Sequence, residues 1–274
     1  MYINDILTNN HIKFAAFDLD GTLLNEQGKL IRDVHNGLHN LVCQGIVPFI
    51  VTGRSLDSFL SLELSDEFLS LFNENILCSD GNILFNREKK EIKVYSSLKR
   101  ELLYFIDDYY KNQAEYIVEV DGIHYATSKE AVLKYSMVFS TKRNKIKLLD
   151  LQTLNFNSLT EIIIFPHKKT SEISLPLYIK PWCNTQHMKY FNSTILLPRD
   201  ICKATGLVNF LKEEFGNQNL NHVIAFGDGR NDTTLLKESK IGIAMNISHE
   251  EAIANCDIHL DVSIGEFLNK TLHV

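Results

Sequence analysis

The sequence predicts an α/β protein: a parallel sheet with flanking helices, into which an α+β segment is inserted. Three observations predict this. Short apolar runs ending in polar tips alternate with helical patterns near both ends of the chain. Between them the texture changes to hairpins mixed with helices. The chain has 274 residues, enough for two modest domains or for a core with a large insertion. Apolar residues make up 45% and charged residues 23%, ordinary globular values that indicate neither disorder nor a fibre.

Residues 12–17, Ile-Lys-Phe-Ala-Ala-Phe, have the length and aromatic content of a buried strand, and the run stops at two carboxylates, Asp18 and Asp20, before Gly21 lets the backbone turn. In an open parallel sheet, reactive groups collect just beyond the carboxyl ends of the strands, so both acids are delivered where a ligand can reach them. One can ionise as nucleophile and metal ligand while the other moves protons. Residues 31–42 carry apolar side chains at helical spacing (Ile31, Val34, Leu38, Leu41), closed by Gln44-Gly45. A second strand over 46–51 ends in Thr52-Gly53-Arg54; a helix is predicted over 55–72 and a third short strand over 75–78, stopping at Ser79-Asp80-Gly81-Asn82. His35 and His39 have the i, i+4 spacing of zinc ligands, but no third ligand accompanies them and they read as a solvated helix face.

The texture changes from Asn82. Runs 83–85 and 92–95 flank a charged turn like a hairpin, 97–110 is an amphipathic helix, 116–120 alternates as a strand before Asp121-Gly122, and a lysine-rich stretch over 142–147 precedes strands at 161–165 and 173–179. The alternating pattern then returns: strand 194–197, helix 203–215 opening on Lys203, and strand 223–226 ending in Gly227-Asp228-Gly229-Arg230-Asn231-Asp232. A helix over 233–239, a strand over 241–244 and a helix over 249–255 follow. The expected organisation is a core from 1–81 and 193–274 around an inserted α+β domain, 82–192.

With 28 basic against 34 acidic residues the formal charge is −6, which does not suit a general grip on nucleic acid or on an anionic membrane. Five scattered cysteines without a Cys-x-x-Cys spacing give neither a disulfide framework nor a zinc site. No run approaches the roughly 20 apolar residues of a membrane span, and a polar stretch over 1–10 lacks the features of a leader. A reduced cytoplasm is the expected compartment.

Four features stand at strand ends or a helix start: Asp18-x-Asp20-Gly21-Thr22, Thr52-Gly53, Lys203, and Gly227-Asp228-Gly229-x-Asn231-Asp232. In this order and spacing the chain resembles the haloacid dehalogenase (HAD) superfamily, specifically its Cof-type (subclass IIB) phosphatase branch, over essentially its whole length. The resemblance implies a Rossmann-like parallel-sheet core with a C2-type α+β cap inserted between the second and third motifs. The 18–52 interval is too short for a cap, whereas 54–203 has room for one. It further implies that Asp18 is the nucleophile that becomes an aspartyl phosphate and that Asp20 is the general acid, its backbone carbonyl also reaching the metal. Asp228 would ligate that metal beside Asp18, with Asp232 in support, and Thr52, the Gly53 amide, Lys203 and Asn231 would hold the phosphoryl oxygens. An oxygen-only ligand set without histidine or cysteine fits Mg²⁺.

The chemistry requires such convergence, because enzymes accelerate phosphate-monoester hydrolysis by up to about 10²¹, whereas one placed acid gives roughly 10²- to 10⁴-fold. The chain departs from many relatives in having Asp80-Gly81-Asn82 where they have Asn-Gly-Ala, and in Ala204 after Lys203 and in Met245-Asn246-Ile247, where a glycine is common. Lys142, Arg143, His124, Tyr125 and Trp182 are cap candidates for contacts to the leaving group, each with the blander alternative of an outer charged face or a small core. The implied reaction is Mg²⁺-dependent hydrolysis of a small phosphorylated metabolite by a monomer or homodimer. The open alternatives are a phosphomutase or phosphotransferase on the same core, or a regulatory protein that binds phosphate without turnover.

Overall fold

The computed structural model describes residues 2–139, 146–153, 158–168, 175–188 and 191–270. These divide into two compact units, the first comprising Met1–Gly53, Leu62–Glu91 and Cys202–Val274, the second Arg54–Ser61 and Ile92–Ile201.

In chain order the described elements begin with α1 (Ile3–Asn9), β1 (Phe14–Phe17), α2 (Val34–Cys43), β2 (Val47–Ile50), α3 (Leu56–Leu60), α4 (Asp66–Leu69), β3 (Asn75–Cys78), β4 (Ile83–Asn86) and β5 (Glu91–Val94). There follow α5 (Arg100–Tyr109), β6 (Ala114–Val120), β7 (Ile123–Ala126), α6 (Lys129–Phe139), β8 (Lys147–Leu148), β9 (Leu159–Pro166), β10 (Asn184–Met188) and β11 (Ser193–Leu197). The chain then forms α7 (Lys203–Phe215), β12 (Val223–Gly227), α8 (Thr233–Glu238), β13 (Ile241–Ala244), α9 (Glu250–Ala254), β14 (Ile258–His259) and α10 (Ile264–Asn269).

In the first unit a parallel sheet runs β14-β13-β12-β1-β2. β1 sits between β12 and β2, with Phe17 in register with Phe226 and Ile50, so these three strands end together. A strand covered on both faces needs a continuous apolar run, and all four residues of β1 are buried. Phe17 stacks on Phe226 with ring centroids 4.6 Å apart, and Phe49 packs edge-on against Phe210 of α7. Each fully buried side chain of this size contributes roughly 1.5–3 kcal/mol, and together they fix the strand tips on which the site stands. β3 pairs antiparallel with β4 and is tied to the edge of the parallel sheet by the Val51–Leu77 bridge and by backbone hydrogen bonds from Thr52 to Leu77 and from Asn73 to Pro48.

The second unit is built on a sheet ordered β10-β11-β9-β6-β7-β8, antiparallel except for the short β7–β8 pair. Leu102, Leu103 and Ile106 of α5 form one core with Tyr116, Val118, Ile162 and Ile164. Ala131 and Tyr135 of α6 form another with Ile117, Ile163 and Phe165.

Several expectations change. The strand expected over 194–197 in the parallel sheet belongs instead to the antiparallel sheet of the second unit, where β11 pairs with β9 and β10. A run as short as Thr-Ile-Leu-Leu does not state its partner; the adjacent hairpin strand β10 supplies it. The single helix expected over 55–72 is two short ones, each N-capped by a serine side chain, Ser55 on the Ser58 amide and Ser65 on the Phe68 amide, with Glu63 left-handed between them. Of the strand expected over 173–179, residues 175–179 are not extended and close into a turn, with the Ile179 amide donating to the Pro176 carbonyl; 173 and 174 lie outside the described residues. Elements α1, β7, α6, β8, β10, β14 and α10 are not among those the sequence predicts. The sequence boundaries of the insertion, 82 and 192, compare with 92 and 201 in the second unit, which also takes in 54–61.

Candidate active site

The site is built where β1 and β12 end. Asp18 follows β1 directly, its amide held by the Phe226 carbonyl at 3.0 Å, and Asp228 follows β12. Lys203 is the first residue of α7, whose start is fixed by Thr205 Oγ1 accepting from the Cys202 amide at 2.8 Å. A cation there opposes the helix dipole, so its place depends on anions nearby. They are present: Lys203 Nζ donates to Asp18 Oδ1 and to Asp232 Oδ1, each at 2.6 Å. Lys203 and Asp232 have no exposed surface and Asp18 is 6% exposed.

Asp232 is more than the acidic residue expected in a helix's first turn. Its second oxygen, Oδ2, accepts from the amides of Asp228 (3.1 Å) and Gly229 (2.9 Å), tying the loop after β12 to Lys203. Asp228 accepts from the Thr22 hydroxyl at 3.4 Å and lies so close over Gly21 that a Cβ there would be 2.3 Å from its Oδ2. That approach, together with a φ of +76°, is why a glycine stands at position 21.

Carboxylate oxygens of Asp18, Asp228 and Asp232 all lie within 4.8 Å of one another. One ammonium serves three acids, and the protonation equilibria follow. Burial and the neighbouring carboxylates raise Asp18 well above the usual range despite Lys203, and burial with Asp232 pushes Asp228 up to about 7. Burial works against the charge on Lys203, but Asp18 and Asp232, then Asp80, outweigh it and hold the ammonium above its ordinary value. The cluster is therefore short of positive charge, and its oxygen-only donors suit a hard divalent cation.

Of the other expected residues, Thr52 is fully buried at the tip of β2, its amide donating to the Leu77 carbonyl and its carbonyl accepting from Asp80. Gly53 follows it and is exposed; Asn231 lies against it, since a Cβ on Gly53 would be 2.7 Å from Asn231 Nδ2. Asp20 is exposed and its carboxylate is outside the group of three. Sequence reasoning gave no role to Thr22 or to Asp80, which accepts from Asn231 Nδ2 at 2.7 Å; the position of Asp80 at a strand end before a glycine was the available signal.

Among the cap candidates, His124 is buried inside the second unit, Lys147 stands over the Tyr125 ring, and Trp182 packs on that unit's core under Lys99. Lys142 and Arg143 lie outside the described residues. His35 faces Glu67 at 3.7 Å on a partly exposed helix surface.

A family model described as haloacid dehalogenase-like hydrolase matches residues 15–263. The chain is 26% identical over 248 residues to an HMP-PP phosphatase of Yersinia enterocolitica, covering 85% of this chain and 83% of that one. Among solved structures it superposes on a haloacid dehalogenase-like hydrolase of Bacteroides thetaiotaomicron with a TM-score of 0.76 at 22% identity, covering 94% and 98% of the two chains. It also superposes on a HAD subclass IIB sugar phosphatase at 0.71 and 18%, covering 93% and 96%. The chain belongs to the haloacid dehalogenase-like hydrolases, in their Cof-type branch, and is an enzyme of the phosphatase kind. Among the described residues no helix is long and apolar enough to cross a membrane.

Proposed function

We propose that the protein is a cytoplasmic, Mg²⁺-dependent phosphatase that hydrolyses a small phosphorylated metabolite, a sugar phosphate or a nucleotide or cofactor phosphate, through an aspartyl phosphate. The observation that carries this reading is the clustering of the Asp18, Asp228 and Asp232 carboxylates, two of them bonded to Lys203, with Asn231 lying against Gly53. The names of the sugar-phosphatase neighbour and the HMP-PP phosphatase relative support the substrate class. The five cysteines, all free thiols, suit a reducing compartment.

Lys203 engages Oδ1 of Asp18 and leaves the other carboxylate oxygen to attack phosphorus. As the Asp18 O–P bond forms, the bond from phosphorus to the leaving oxygen breaks and Asp20 gives that oxygen its proton. In the second half Asp20 takes a proton from water, the water oxygen attacks phosphorus, inorganic phosphate departs and Asp18 regains its carboxylate. Thr52, the Gly53 amide, Lys203 and Asn231 hold the phosphoryl oxygens throughout. Asp18, Asp228, Asp232 and the Asp20 carbonyl would hold Mg²⁺, which when bound supplies positive charge opposite the phosphoryl oxygens and lets Asp18 ionise.

The test is phosphate release from a panel of phosphorylated metabolites with Mg²⁺, against Asp18→Asn. The variant should lose at least about 10³-fold in kcat, as removal of a nucleophile does. A wild-type protein that releases no more phosphate than Asp18→Asn across the panel would overturn the proposal.

A further inference from the structure

The mechanism above gives no role to Asp80, whose carboxylate meets Asn231 beside Gly53. Ser79, Asp80 and Gly81 occupy the left-handed region in succession, with φ of +49°, +54° and +86°. Two adjacent non-glycine residues adopt that conformation only where the surroundings impose it. Here the Asp80 amide donates to the Thr52 carbonyl at 3.1 Å and the Gly81 amide to the Cys78 carbonyl at 3.0 Å. The turn is also pressed against the first turns of α7, where a Cβ on Gly206 would lie 2.2 Å from the Gly81 carbonyl oxygen and one on Gly81 would lie 3.2 Å from Lys203 Cα. The Asp80 backbone is thus fixed from both sides, and its side chain reaches over Gly53 to Asn231, 151 residues away in the chain.

A side-chain amide is ambiguous as a recognition element, since rotation by half a turn exchanges two donors for an acceptor. An ionised carboxylate accepts only. With Asp80 Oδ1 at 2.7 Å from Asn231 Nδ2, the rotated amide would set oxygen against oxygen, so Asn231 is held with its NH₂ group over Gly53. One N–H goes to Asp80 and the second remains for an anion seated on the Gly53 amide. We propose that Asp80 is a positioning residue that locks the Asn231 amide in the donor orientation phosphoryl binding requires. The inference rests on the phosphate cradle assigned under the proposed function.

The experiment measures the Kd of inorganic phosphate by calorimetry with Mg²⁺ present, which needs no turnover. Wild type is compared with Asp80→Asn, Asp80→Gly, Asn231→Ala and the double variant Asp80→Gly/Asn231→Ala. Asparagine and glycine both accept a positive φ, so neither strains the turn; asparagine keeps an acceptor for Asn231 and glycine removes it. Asp80→Asn should bind phosphate within about twofold of wild type and Asp80→Gly about tenfold more weakly, the size of one lost hydrogen bond. In the Asn231→Ala background Asp80→Gly should add no more than about twofold, because a coupled pair is non-additive. Equal binding by Asp80→Gly and Asp80→Asn, or a penalty that persists without Asn231, overturns the inference and leaves Asp80 acting through the turn or through Lys203. If Asp80→Gly does not fold, Asp80→Ser, too short to reach Asn231, replaces it. Wild-type protein that binds phosphate in this pattern yet releases none from any ester would sink the proposed function and leave the Asp80 assignment standing. Turnover with an indifferent Asp80→Gly would do the reverse.

Discussion

Both units take ionisable side chains out of water, and they satisfy them in opposite ways. In the second unit Glu119 and His124 are fully buried, and hydroxyl groups rather than a surplus of like charges meet them. The Thr160 hydroxyl donates to Glu119 Oε2 at 2.7 Å, His124 Nε2 meets the Tyr135 hydroxyl at 2.9 Å, and Asp57 stands 3.6 Å from His124 Nδ1. Ser55, at the start of α3, closes on the same Tyr135 hydroxyl at 3.3 Å. Burial drives the Tyr135 phenol well above its usual range, so it stays a neutral donor. In the first unit three carboxylates crowd one ammonium, and among the described residues this is the only acidic group whose oxygens approach so closely. Buried ionic residues that close upon hydrogen bonds are a fold's own wiring; those left with surplus negative charge are a seat for a cation.

The comparison is broken most severely at Lys203. Replacing it with methionine leaves buried Asp18 and Asp232 without their ammonium, and removing one partner of a buried ion pair costs about 3–5 kcal/mol. Urea unfolding should lose that much in the metal-free protein, with phosphate release abolished.

Next comes the cation itself. Asp18 and Asp228 have pKa values raised in the folded state, so the fold binds protons that the unfolded chain gives up, and stability is fully present below the ordinary carboxylate range and is lost as pH rises through about 7. Lys203, whose value is also raised, is charged in both states below pH 8 and contributes no slope there. The melting temperature of the metal-free protein should therefore fall between pH 5 and 8 as far as this cluster governs it. Mg²⁺ should raise it increasingly toward pH 8, through a stabilisation of about 2.7 kcal/mol at a hundred times its Kd. A flat response to Mg²⁺ at pH 8 would remove the contrast between the two clusters.

The smallest effect sharpens the other side. His124→Phe keeps the ring volume and removes the imidazole that meets the Tyr135 hydroxyl and faces Asp57, a loss of about 1–3 kcal/mol. Thermal unfolding should register it, while the increment in melting temperature from Mg²⁺ should equal that of wild type.

Local signals carried much of this. Asp18 and Asp228 could be placed at strand ends because the runs 12–17 and 223–226 stop at Asp18 and at Gly227-Asp228, and Lys203 at a helix start because the 3.6-residue pattern begins there. The same signals failed for β11, since so short an apolar run pairs equally well in either sheet, and for α6, where Leu133 and Met137 are exposed and blur the amphipathic stripe.

The chain's letters alone determined which groups the site would contain, because a strand end, a turn glycine and a helix start are set within a few residues by backbone sterics and apolar periodicity. Only the tertiary structure decided their state. It joined Asp232 to Lys203 across 29 residues and Asn231 to Asp80 across 151, and it set two buried acids and a half-buried third beside one amine. Coulomb energies and desolvation depend on distances through space and on excluded water, quantities that no spacing along the chain encodes.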